Sequence, residues 1–324
     1  MNGKSAAARP MSAAVWAQLL LLGAIWGGSF FFARIAVQEI PPFTLVLLRV
    51  AIAAAALHGY LAARGISLAP ALRVWRGLLL LGAVNNVIPF SLMFLGQTEL
   101  GAGLASVLNA TTPFWTILVG SLLVADEKVT AGKLAGIALG IAGTAVMIGP
   151  GLLAGLGGPV WAKLALIGTA LSYAFAFVVA KRIGGLSPTV IAAGQLTASS
   201  VIMVPIVATV HGTTEMFAAS GRTWAAVLGL ALLSTAFAYI LYFRILASAG
   251  ATNASLVTLI VPVSALILGV VFLGERLEAF EAAGIALIGC GLVVIDGRVV
   301  STLRRRRPGL SDAGIPPEPT KKST

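Results

Sequence analysis

The sequence predicts an all-α polytopic membrane protein, with ten transmembrane helices forming two inverted five-helix repeats around a central cavity. Three observations carry this prediction. Of the 324 residues, 58% are hydrophobic and 10% are charged, against about 25% charged in a soluble domain, so the chain lacks the polar surface that water requires. The chain also repeats itself: Ala135-Gly136-Ile137-Ala138-Leu139 returns as Ala283-Gly284-Ile285-Ala286-Leu287. Finally, each half holds five apolar runs. An odd number sends two like-folded halves into the membrane from opposite sides.

Runs of about 20 apolar residues place the spans at 15 to 37, 43 to 63, 77 to 97, 101 to 124, 131 to 149, 161 to 181, 188 to 210, 224 to 246, 252 to 273 and 279 to 296. The organisation is then an N-terminal segment (1–14), a first repeat (15–149), a second repeat (150–297) and a basic tail (298–324). The basic start and apolar run at the N-terminus read as the first span and not as a cleaved signal, because no small-residue cleavage site follows and the stretch Trp26 to Arg34 is echoed by Tyr173 to Lys181. Further mates are Trp75 and Trp224, Phe90 and Tyr239, Phe94 and Phe243, Ser106 and Ser255, Pro113 and Pro262, and Glu127 and Glu275. The tail, with Arg304 to Arg307 followed by Pro308, Pro316, Pro317 and Pro319, has the composition of a disordered, lipid-touching segment.

Charge sets the expected orientation. With the N-terminus in the cytoplasm, 17 Lys and Arg residues fall inside, from Lys4 to Lys322, and four fall outside: Arg34, Lys163, Arg222 and Arg276. The positive-inside rule then puts both termini in the cytoplasm, and the net charge of +11 needs no nucleic-acid partner. Trp16, Trp75, Trp161 and Trp224 start spans, as interfacial anchors do. The single cysteine, Cys290, excludes an internal disulfide and reads as a packing residue. His58 and His211, the only histidines, are too far apart in sequence to suggest a metal site. No P-loop is present, and no cofactor is expected.

Trp26-Gly27-Gly28-Ser29-Phe30 in span one, Arg49 in span two, Pro113 in span four, and Gly274-Glu275-Arg276-Leu277 followed by Gly284 resemble the EamA-type drug/metabolite transporters over residues 15 to 296. The resemblance implies ten helices around a central cavity that moves a small metabolite by alternating access. Within that family the chain is similar to the aromatic amino-acid exporters.

The residues supply the site. Asn85 and Asn86 lie at mid-span, where an amide needs partners and faces a bundle interior or a wet cavity. Pro89, four residues after Asn85, removes the hydrogen bond to its carbonyl and leaves an acceptor for a substrate amine. Span four carries Asn109, Thr111 and Thr112, and span nine carries Ser255 and Thr258. Ser106 with Asn109, and Ser255 with Thr258, each share one helix face. Asn109 is preferred over Thr111 and Thr112, whose hydroxyls can bond their own backbone. Trp26, Phe90, Tyr173 and Tyr239 come from repeat-related spans and can sandwich a flat or apolar side chain, with Phe30, Phe94, Phe177 and Tyr242 behind them. Arg49 sits about 10 Å inside span two. Snorkelling to the outer interface, as an anchor or gate contact, is preferred to direct binding. Its repeat mate is Gln195; Pro113 and Pro262 join Pro89 as gate or structural residues.

None of the eleven carboxylates lies in mid-membrane, which favours a uniporter over a proton-coupled antiporter; Glu99, near the outer mouth, is the exception to watch. A membrane-embedded enzyme is disfavoured because no acid/base pair or nucleophile with a base lies at membrane depth. A non-transporting scaffold does not account for polar residues recurring in both repeats. Gly132, Gly136, Gly140 and Gly143 in span five, with Gly284 and Gly291 in span ten, allow close helix contact. Within the chain they serve packing; a weak homodimer face is the alternative to a monomer.

Overall fold

The structure, a computed structural model, describes residues 12–123, 130–154, 158–210 and 218–296, excepting the side chains of 149–154, 251, 252 and 296. All regular structure among them is helical. Helix α1 (Ala13–Ala36) starts at Ser12, whose hydroxyl accepts from the Val15 N–H, and α2 (Pro42–Ala63) starts on Pro41-Pro42, where a missing N–H costs nothing. A 3₁₀ turn (Ala69–Val74) leads into α3 (Trp75–Gly82), a π segment (Ala83–Val87) and α4 (Ile88–Glu99). There follow α5 (Ala102–Asn109), α6 (Thr112–Leu123), α7 (Ala131–Ala154), α8 (Val160–Arg182) and α9 (Pro188–Val210). A second composite run joins α10 (Gly221–Leu228), a π segment (Gly229–Phe237) and α11 (Ala238–Ala249). The last elements are α12 (Ala251–Ala254), α13 (Val257–Leu273) and α14 (Ala279–Asp296).

Among the described residues, eight helical runs are long and apolar enough to cross a membrane, and Val257–Leu273 and Ala279–Ile295 are shorter apolar helices. The polarity pattern is inside-out. Leu20, Leu80, Val201, Val271 and Phe272 point outward, while Arg49, Asn86, Gln97, Lys163 and Gln195 are buried. Lipid, not water, fits such a surface. This is a multi-pass membrane protein. Cys290 is also exposed, correcting the expected packing role.

The glycines set helix spacing. A Cβ on Gly27 would lie 2.6 Å from the Ser264 Cβ and 2.8 Å from the Val261 carbonyl oxygen, so the Trp26 to Phe30 motif seats α1 on α13. Between α7 and α14, a Cβ on Gly143 would lie 2.8 Å from the Gly284 oxygen, and one on Gly291 would lie 2.7 Å from the Gly136 oxygen. Gly140 lies under the Phe114 ring, whereas Gly132 has only Thr130 Oγ1, at 3.9 Å. Three of the four span-five glycines thus have partners within the chain.

The face of the bundle where α1 begins is called here the near face and the opposite one the far face. The far face is tied by polar contacts. Arg34 donates to the carbonyls of Gln97 and Thr98. Gln97, wholly buried, donates to the Phe30 carbonyl at 2.9 Å. The Glu275 carboxylate accepts the N–H groups of Ala102 and Gly103 at 2.5 and 2.9 Å, capping α5 from the turn after α13. The Glu39 carboxylate accepts the Ser220 N–H and hydroxyl at 2.6 and 2.9 Å at the start of α10. Those two bonds hold the Glu39 carboxyl below its ordinary pKa, the backbone N–H contributing most. The sequence mate of Glu275, Glu127, lies outside the described residues, as do His211 and the 298–324 tail.

Candidate functional site

Two kinks and two breaks shape the interior. Pro89 has no N–H, and the chain ahead of it adopts π geometry, with the Ile88 N–H bonded to Ala83 five residues back. That register shift takes the Ile88 donor away from the Val84 carbonyl, to which the Ser172 hydroxyl of α8 donates instead at 2.7 Å. The Val84 carbonyl is thus satisfied between helices. The second π segment (Gly229–Phe237) covers the corresponding stretch of the other half, and there Thr235 Oγ1 donates five residues back to Leu230. The fourth and ninth spans, expected as continuous, break after Asn109 and after Ala254. Pro113 near the start of α6 explains the first break, since it has no N–H for the Asn109 carbonyl four residues back and its ring crowds that carbonyl.

These distortions surround a cavity of about 540 Å³, within the range of small-molecule sites. Its wall includes Trp26, Asn85, Phe90, Asn109, Tyr173, Tyr239 and Thr258, all named from the sequence, together with Phe30, Phe177, Tyr242, Arg49, Pro113 and Gln195. It extends to Ala180 and Pro188, at the near-face ends of α8 and α9. A second pocket of about 490 Å³ lies at the far face, among Arg34, Glu39, Glu99, Arg222, Glu275 and Glu281. Glu99 is placed there, away from the cavity. Lys163, counted among the outside charges, is buried and donates to the Met147 carbonyl at 2.9 Å.

Polar contacts cross the cavity between the halves. Asn85 Nδ2 donates to Gln195 Oε1 at 3.1 Å and reaches the Tyr239 hydroxyl at 3.4 Å. Arg49 Nε donates to Thr235 Oγ1 at 3.0 Å. The aromatic mates behave alike: Phe90 stacks on Phe94 at 6.3 Å and Tyr239 on Phe243 at 6.1 Å, while Trp26 leans on Tyr242 at 5.4 Å.

Three expectations about site residues are overturned. Asn86 is wholly buried away from the cavity, its amide donating to Ser199 Oγ at 3.0 Å; adjacent helical residues point about 100° apart, so only Asn85 reaches the wall. Ser255 is exposed because the break after Ala254 takes it off the face that Thr258 keeps. Arg49 does not snorkel. Only 5% exposed, it lies with its guanidinium carbon 3.8 Å from the Phe90 ring centre and forms part of the cavity wall. Of the secondary aromatics, Phe94 is buried behind Phe90. Thr111 bonds its own backbone at Leu108, as expected, whereas Thr112, similarly bonded to Asn109, also faces the cavity. Pro89 and Pro262 shape helices without touching the cavity. Ser29, Leu81, Met93 and Ile191 also line it but were missed, because small and apolar residues give no signal above the membrane background.

Known proteins match this arrangement over nearly its whole length. The chain is 30% identical over 284 residues to the uncharacterized inner membrane transporter YedA of Escherichia coli, covering 86% of this chain and 89% of that one. It is 29% identical over 300 residues to a probable terminal-alkyne amino-acid exporter of Streptantibioticus cattleyicolor (92% and 97%). It is also 27% identical over 290 residues to a probable amino-acid metabolite efflux pump of Salmonella typhimurium (85% and 92%). A solved crystal structure shares the fold with a TM-score of 0.61 at 22% identity, covering 91% of this chain and 99% of that one. The EamA-like transporter family matches residues 12–149 and again 160–296, and the chain belongs to that family.

Proposed function

We propose that the protein exports small metabolites, amino acids with aromatic or hydrophobic side chains foremost, by alternating access of two oppositely oriented five-helix halves. The observation that carries this reading is the cavity itself, where rings with polar tips from both halves surround a space of small-metabolite size. The names of the Streptantibioticus and Salmonella relatives favour amino acids. Paired π segments, paired ring stacks and the crossed contacts Arg49 to Thr235 and Asn85 to Gln195 support the inverted-repeat reading. The loop charges favour a bacterial inner membrane with both termini, and hence the near face, in the cytoplasm. The tied far face and the cavity's reach toward the near face support reading this state as one that loads from inside.

Uniport is the proposed energetics, because no Asp, Glu or His is among the described residues that line the cavity. A proton-coupled antiporter would have to use a titratable group outside that wall, such as Glu99, Glu281 or His58; His58 pairs with Thr197 at 2.9 Å. We carry the family's non-enzymatic role over to this chain. The test is a panel of amino acids in proteoliposomes. The protein should equilibrate its substrate without concentrating it. One proton coupled to 100 mV supplies about 2.3 kcal/mol, enough for about fifty-fold accumulation. Accumulation of that kind, collapsed by an ionophore, would refute uniport, and no flux of any amino acid would refute the export reading.

A further inference from the structure

We propose that Arg49 is a carboxylate anchor, and that the cavity accepts monocarboxylates with an apolar or aromatic body, amino acids among them, while it rejects amines. This rests on the reading of the cavity as the substrate site. Arg49 is the only charged residue among the described residues of the cavity wall. Its identified partners are neutral. Nε is held by Thr235 Oγ1, whose own proton is committed to the Leu230 carbonyl, so that this hydroxyl can only accept. The guanidinium carbon lies 3.8 Å from the centre of the Phe90 ring, an attraction that offsets part of the cost of burying a cation.

Nη1, by contrast, is buried with no hydrogen-bond partner. A buried guanidinium nitrogen in that condition is costly, and an anion entering the cavity is the ligand that relieves it. With Nε held by Thr235 and the ring beside the guanidinium carbon, Nη1 is left for a carboxylate, the group that arginine recognises best. A substrate ammonium finds no such counterpart. The described cavity wall offers it neutral polar groups, with the repulsion of Arg49 against it. The rings of Trp26, Tyr173 and Tyr239 take the body of the ligand. The carboxylate is thus the group that is read, and the α-amino group is tolerated.

The test uses the full-length protein in lipid nanodiscs and four probes of one shape: 3-phenylpropionate, phenylalanine, phenylalaninamide and phenethylamine, with binding followed by calorimetry. The two acids should bind at least about tenfold tighter than the amide and the amine, the least expected for a lost hydrogen bond to a charged group. Arg49→Gln should erase that preference and bind phenethylamine better than the wild type does, a gain that misfolding cannot produce; Arg49→Lys should keep part of the preference. Equal binding of acid and amide by the wild type, failure of both acids to bind, or retention of the preference in Arg49→Gln would overturn the proposal. The two readings fail separately. Arg49-dependent binding of acids without amino-acid flux leaves the anchor and removes export; amino-acid flux without discrimination between acid and amide leaves export and removes the anchor.

Discussion

Removing the Glu275 carboxylate should loosen the far face by a definite amount. It accepts two backbone N–H groups at the start of α5, from Ala102 at 2.5 Å and Gly103 at 2.9 Å, where unpaired helix donors and the helix dipole both favour an anion. Hydrogen bonds to charged groups contribute about 1.5 to 3 kcal/mol, but a helix cap as a whole contributes about 0.5 to 2 kcal/mol. With Glu275 half-buried, Glu275→Ala should cost about 2 kcal/mol, close to the cap limit. At about 2 to 4 °C per kcal/mol for a large chain, the melting temperature should fall by about 4 to 8 °C. Glu275→Gln keeps one acceptor and should lose about half as much. The assay is a thermal melt in detergent, with Glu278→Gln as control, since that exposed side chain should matter by less than about 0.5 kcal/mol. Melting of Glu275→Ala within a degree of Glu278→Gln would refute the capping argument.

Gly143→Ala places a Cβ 2.8 Å from the Gly284 carbonyl oxygen and 2.9 Å from the Ile288 N, backbone atoms that cannot swing away; it should cost about 1 to 3 kcal/mol, while Gly132→Ala melts no lower than wild type. Asn86→Ala, which breaks the clamp to Ser199, should lower stability by about 1 to 2 kcal/mol, whereas Asn85→Ala should reduce flux with little change in melting, because water reaches its partners. Glu39 gives a pH signature. Its folded pKa lies below the ordinary 4.5, so its stabilisation is present above about pH 4.5 and is lost as pH falls through the folded value. The melting difference between wild type and Glu39→Gln should therefore shrink as melts are taken from pH 7 down below 4, and a constant difference would contradict the assignment.

Eight of the ten spans were legible at crossing length because apolar runs of bilayer length leave few alternatives, and the cavity's rings because aromatic side chains with polar tips stand out in such runs. Arg49 was misread because depth was weighed without phase. Leu45, Arg49, Ala53 and Leu57 recur every four residues and all are buried, a stripe that turns the arginine inward whatever its depth. Asn86 was misplaced for the same reason, since neighbouring positions on a helix cannot share a face. Pro89 announced a distortion, but not the π register that hands the Val84 carbonyl to Ser172, which sequence spacing does not encode. The contacts of Glu275 and Glu39 join elements more than a hundred residues apart, and nothing local to either carboxylate identifies its partner.

The central claim is that substrate passes through the cavity, and a blocked cavity tests it most directly. Thr258→Cys, on the wall, is introduced into a Cys290→Ala background, with Arg64→Cys, exposed beyond the end of α2, as the control. Both are modified with a methanethiosulfonate reagent in proteoliposomes, and amino-acid exchange is measured. Modification at 258 should abolish exchange and be slowed by the transported amino acid, and modification at 64 should do neither. Exchange at the wild-type rate by protein fully modified at 258 would mean that the substrate takes another path.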